Sequence, residues 1–216
     1  MQEVTKVITP AEDFSLISIY YARLGLNLVA SADPTVEDQI EMFIRWASDE
    51  VAQTCNRVFA RETVEETFLD LSEWENRIYL SHYPIAEITG VAANGAAMNE
   101  GSDYQIERGT GLLRRLGGVW ASPVVVNYTG GYRLPYEAPE SLQYAVTLMI
   151  REAYYATLRG DATVRMVAHK EARVIYFDPA QQARALMGGG GGASGGGSAA
   201  RRASADLLKK FTRFWV

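Results

Sequence analysis

Cysteine is almost missing from this chain: among 216 residues the only one is Cys55. That excludes an internal disulfide and any zinc site built from several thiolates. Histidine is nearly as scarce, with His82 and His169 in separate predicted elements, so no His-x-x-x-His metal pair exists. No phosphate loop ending in Gly-Lys-Ser/Thr occurs, and no serine or cysteine sits in a nucleophile elbow. Apolar runs stop short of the ~20 residues that a membrane span needs, and the opening residues show no cationic-apolar leader. Positive charge is not in surplus either. The formal net charge is -5, where a dedicated nucleic-acid binder is usually basic. The expectation is a globular protein of a reducing compartment, with no cofactor, no metal, no membrane and no catalysis. The scattered carboxylates read as solvated faces, and Cys55 reads as a buried thiol on a helix.

What the sequence does contain is strand and turn punctuation between residues 77 and 135. Short apolar runs rich in Val, Ile and Tyr are bounded by Gly, Asn and Pro, the signature of strands and tight turns. They predict strands ending at Tyr83-Pro84, then over 85–91, 103–107, 112–115 and 124–128, with a turn at Asn94-Gly95. Residues 60–71 read as a further strand, and Val4, Val7 and Ile8 as an edge strand. Helices are predicted over 16–26 (Ser18 as cap, Gly25 near the stop), 34–58 (capped by Asp33, Pro34 at its first position) and 139–158. In the 34–58 helix Val36, Ile40, Phe43, Ile44, Ala47, Val51, Cys55 and Val58 fall on one face. The class is therefore α+β: a small helical bundle with a small antiparallel sheet, the two long helices lying side by side over that sheet. Trp120 and tyrosines 104, 128 and 132 read as core or subunit-interface packing rather than a ligand box. Gly130-Gly131 reads as a turn. His82 is taken as a strand-end residue.

The order of these pieces resembles the head-tail connector (adaptor) proteins of tailed bacteriophages, the HK97 connector-like family with its prophage and gene transfer agent relatives. The resemblance rests on Tyr83, Pro84 and Ile85, then Asp103-Tyr104, Gly111-Leu112, Trp120, Tyr128, Gly130, Gly131 and Tyr132. It continues through Pro139 to Tyr154-Tyr155 and Arg159-Gly160, and extends more loosely back to Leu16. It implies a structural virion protein of the neck, assembled in the host bacterial cytoplasm. Such a subunit forms a ring, most often of twelve copies, between portal protein and stopper or tail-completion protein. Double-stranded DNA passes through the lumen without specific binding. A transient assembly or packaging factor that binds portal or DNA is the alternative.

The divisions expected are an arm over 1–15, a connector core over 16–160, a hairpin and short helix over 161–187, a Gly/Ser-rich tether over 188–200 and a docking segment over 201–216. That last segment interleaves Arg201, Arg202, Lys209, Lys210 and Arg213 with Leu207, Leu208, Phe211, Phe214 and Trp215. An amphipathic helix on a glycine tether must bury its apolar side somewhere. Its own domain, a membrane surface, nucleic acid and a groove of a partner protein all offer a place, and the partner's groove is the expectation. The resemblance makes that partner the portal protein.

Overall fold

The computed structural model describes residues 2–28, 34–158, 166–169, 172–175 and 199–213. The cap at Asp33, the short helix over 180–187, the tether through 198 and Phe214 and Trp215 lie outside the described residues.

Strand β1 (Gln2–Thr9) leads into helices α1 (Ile19–Leu26) and α2 (Pro34–Cys55). The Ser18 hydroxyl accepts from the Tyr21 N–H and caps α1. The helix passes through Gly25 and stops at Asn27, whose left-handed φ of 59° lets its N–H and that of Leu28 return to the last carbonyls. Gly25 serves packing instead: a Cβ there would strike the Thr147 methyl of the helix packed against it. α2 ends earlier than its apolar pattern, which runs on to Val58. Asn56 turns left-handed at φ 50° and the Arg57 N–H bonds back to Ala52 O, a stop chosen by asparagine.

Strands β2 (Glu62–Leu69), β3 (Arg77–Tyr79), β4 (Ile85–Ala93), β5 (Ala96–Ala97), β6 (Tyr104–Glu107), β7 (Leu112–Arg115) and β8 (Val124–Gly130) follow, then helix α3 (Glu140–Leu158). Asn94 and Gly95, at φ 47° and 77°, make the tight β4–β5 turn that their sequence announces. After α3 come β9 (Met166–His169) and β10 (Ala172–Ile175), an antiparallel hairpin as expected. Helix α4 (Ala199–Leu208) and a 3-10 turn (Lys209–Phe211) end the described chain. The helix begins inside the stretch assigned to the tether.

One antiparallel sheet has the order β1-β2-β8-β4-β5, and a second has the order β3-β7-β6. Period-two alternation puts Val64 and Phe68 of β2 with Val124, Val126 and Tyr128 of β8 on one face, which closes on Ile78, Leu80, Tyr104 and Leu113. A separate cluster joins the helices: Ile40, Phe43, Ile44, Ala47 and Val51 of α2 meet Leu142, Val146 and Ile150 of α3, with Leu16, Ala22, Leu26 and Phe59. Each fully buried aliphatic of this size contributes about 1.5–3 kcal/mol. The α+β class stands, but the helices do not lie over the sheet. The sheet's apolar face is satisfied by the smaller sheet, and the helices satisfy one another.

Candidate functional site: a sealed polar junction and a docked C-terminal segment

Helical cluster and sheets meet where β8 ends. Gly130 has no room for a side chain, since a Cβ would run into the His82 carbonyl; a Cβ on Gly131 would meet the Ala60 carbonyl. Only Gly131 is left-handed, at φ 98°. Gly131 N–H donates to Pro84 O at 2.9 Å, Tyr132 N–H to Phe59 O at 2.8 Å, and Arg61 N–H to Tyr132 O at 2.9 Å. The glycine pair is thus a pinch between two backbones as well as a turn.

Arg57, following α2, reaches across the junction. Its guanidinium donates to Tyr83 O and lies 3.6 Å from the centre of the Tyr83 ring and 4.6 Å from that of Phe59. Burial pushes its pKa down, opposed by Tyr83 and Tyr132.

Behind the pinch lies a polar cluster that the sequence reading missed. Glu66 is fully buried on the inner face of β2. Its carboxylate accepts from the Ser81 N–H at 3.2 and 3.3 Å, from the Ser81 hydroxyl, and from the Tyr128 hydroxyl at 2.8 Å. Burial, then the Glu66 charge, raise the Tyr128 pKa strongly, so the phenol keeps the proton it donates. Tyr128 also accepts from the His82 N–H at 3.1 Å. The His82 ring bridges onward, Nδ1 lying 2.7 Å from Ser81 Oγ and Nε2 3.1 Å from Glu62 Oε2. Serine, histidine and glutamate in a row suggest a nucleophile with its base, but the hydroxyl is committed to Glu66 and all five residues are buried. Chemically the cluster can hold two inward carboxylates; it offers no reacting group to a substrate. The signal was present: period two puts Glu62 and Glu66 on the same face as Val64 and Phe68.

The other motif residues belong to the sheets. Gly111, at φ 71°, passes so close to Leu80 that a Cβ would lie 3.0 Å from its carbonyl. Asp103 receives the Asn99 N–H at 2.9 Å, and its own carbonyl takes Arg115 at 2.7 Å. Tyr104 and Trp120 pack at 6.4 Å between ring centres, both buried as expected. Among the described residues no group of three or more His, Cys, Asp or Glu is placed to hold a metal ion. No described helix is long and apolar enough to cross a membrane.

The C-terminal segment lies on its own subunit. Leu208 is buried in the helical cluster, with Leu207 and Phe211 beside it. The Phe211 ring meets Phe59 edge-on at 6.3 Å. Arg213 N–H donates to Cys55 O at 2.9 Å, and its guanidinium pairs with Glu3 of β1 at 2.8 Å. Of the apolar residues expected to occupy a partner's groove, Leu208 is buried within the chain and Leu207 and Phe211 are partly covered by it. Lys209 and Lys210 remain exposed, Lys209 bonded to Asp206. Arg201 and Arg202 lie on α4, with their side chains outside the description.

The head completion protein family matches residues 26–160, from the end of α1 through the whole junction to just beyond α3. The chain belongs to the head completion protein family. That is the phage and gene transfer agent kinship its motif order resembles. The fold recurs in solved particles. A chain in the neck of an empty GTA particle computed with C6 symmetry has a TM-score of 0.55 at 15% identity, over 99% of this chain and 97% of that one. One in the neck of a native GTA particle computed with C12 symmetry gives 0.50 at 13%, with the same coverage. Another in the virion of a native gene transfer agent particle gives 0.50 at 12%, again over 99% and 97%. At these identities the likeness is one of fold. No curated protein matches. In this head completion protein, the matched region contains both the glycine pinch and the buried cluster.

Proposed function

We propose that this head completion protein is a ring-forming subunit of the virion neck, twelve copies beneath the portal, joining the DNA-filled head to a stopper or tail-completion protein. The observation that carries this reading is the family match over residues 26–160, joined to a full-length likeness of fold to chains in GTA neck particles, one of them computed with C12 symmetry. The role is geometric rather than catalytic. The most enzyme-like constellation is sealed, and its serine is spent on holding a glutamate. A net charge of -5 suits a lumen through which DNA slides without adhering. The core over 16–160 makes the ring, residues 161–187 extend it, and the segment over 201–216 docks on the portal through its basic and aromatic residues.

The test is association with portal-containing particles, comparing the full chain with one stopped at Met187. Circular dichroism of both checks that the core is folded. Expected is capture of the full chain and loss of the shortened one. Equal capture overturns the docking role of the segment. Absence of the chain from gradient-purified virions overturns the neck reading in favour of a transient assembly factor. Duplex-DNA binding that weakens steeply with salt and vanishes without residues 199–216 favours a packaging factor.

A further inference from the structure

The segment to which we assign portal docking is not free in this subunit, and the manner of its attachment suggests how it is controlled. Three fastenings hold its last turns. Leu208 fills a place in the helical cluster and is 5% exposed. The Cys55 thiol at the end of α2 lies 3.9 Å from Leu208 O, which also accepts the Thr212 hydroxyl at 3.2 Å. Arg213 then bonds Cys55 O through its backbone and Glu3 through its guanidinium.

The ion pair differs from an ordinary surface one. Its side chains are 11% and 17% exposed, so solvent screens it weakly. Glu3 lies on the same face of the sheet as Glu66, in register opposite Phe68. Burial raises its pKa, Arg213 pulls it down, and the Glu66 charge pushes it up. Arg213 therefore sits as the ion-pair partner of a carboxylate that has a second one, Glu66, on the same face. Removing the segment strands Glu3 without its cation and opens the Leu208 site, so the fastening is self-reinforcing. Residues 159–198, glycine-rich between 188 and 197, supply enough chain for α4 to leave while α3 stays in place.

We propose that the C-terminal segment is a stored arm: Glu3, Arg213 and the Leu208 site latch it to its own subunit, and it engages the portal only when this latch opens. The proposal rests on the docking role assigned above and adds its regulation. Apparent affinity for the portal is then the intrinsic affinity multiplied by the fraction of unlatched subunits, so opening the latch in advance tightens binding on the order of tenfold.

Two variants of the full chain test it. Thr212→Cys places a second thiol beside Cys55. Oxidation, confirmed by peptide mapping, staples the arm down. Expected is loss of portal association when oxidised and recovery under reductant. Undiminished association of the stapled protein overturns the proposal. Glu3→Arg sets like charges against each other and opens the latch. Expected are faster tryptic cleavage after Lys209 and Lys210 and tighter portal association, both reversed when Arg213→Glu is added to restore the pair. Faster cleavage with unchanged portal association overturns the proposal; so does unchanged cleavage. Failure of the underlying docking role has a different signature, equal capture of the chain stopped at Met187.

Discussion

Gly130 and Gly131 are adjacent, yet each excludes a side chain for its own reason. Gly130 is not left-handed and lacks only space, because the His82 carbonyl occupies the place of a Cβ; Gly131 lacks space and is left-handed too. Gly131→Ala is therefore expected to cost about 1–3 kcal/mol by overpacking alone, with a further backbone penalty. Gly90→Ala, where nothing lies within 4 Å, should stay within about 0.5 kcal/mol. Urea unfolding of the two variants checks the difference. The sequence announced Gly131 as a turn but not the pinch at Gly130, since steric exclusion by a distant backbone leaves no local trace. Tyr104 and Tyr128 were legible as core because large aromatics in strands seldom do anything else, and Trp120, in the loop between β7 and β8, packs on Tyr104. Glu62 and Glu66 were missed for the opposite reason: a carboxylate is presumed solvated unless its parity with neighbouring apolar residues is followed.

Among the elements, those set by local chemistry were the easiest to read. Ser18 capped α1, Asn94-Gly95 turned the hairpin, and apolar periodicity placed α2 and α3. What local chemistry could not show is which face meets which. The sheet's apolar side was matched with the helices because both needed covering, but three short strands cover it instead. The C-terminal helix shows the same gap, since amphipathicity says that a face is buried and not against what. Its contact makes Cys55 a reporter. Burial pushes that thiol from 9.0 up to about 11. Alkylation proceeds through the thiolate, so at pH 8 the full chain should react slowly. The chain stopped at Met187 should react faster by up to about a hundredfold, the thiolate ratio between those two values. Leu208→Ala should fall between them. Iodoacetamide labelling followed by mass spectrometry reads all three.

At the scale of the whole molecule, β1 and the C-terminal segment meet at one ion pair, and stability should register it through pH. Burial raises the pKa of Glu3 above its ordinary 4.5, against the pull of Arg213 and His82 and with the push of Glu66. The folded chain thus holds that proton more tightly than the unfolded one. The contribution from Glu3 is present in full below 4.5 and is lost as pH rises through the elevated value. Glu3→Gln, which cannot ionise, should show a flatter melting temperature across that window by calorimetry, while other carboxylates continue to titrate in both proteins.

The pinch at the end of β8 has a mechanical consequence. Two apolar cores are joined where main chain rests on main chain, through Gly131 to Pro84, Tyr132 to Phe59 and Arg61 to Tyr132. Compliant side chains are excluded at the closest points, so the joint has little give. Torque applied to the helices then reaches the sheets through main chain, and the subunit answers load as a wedge rather than as a hinge.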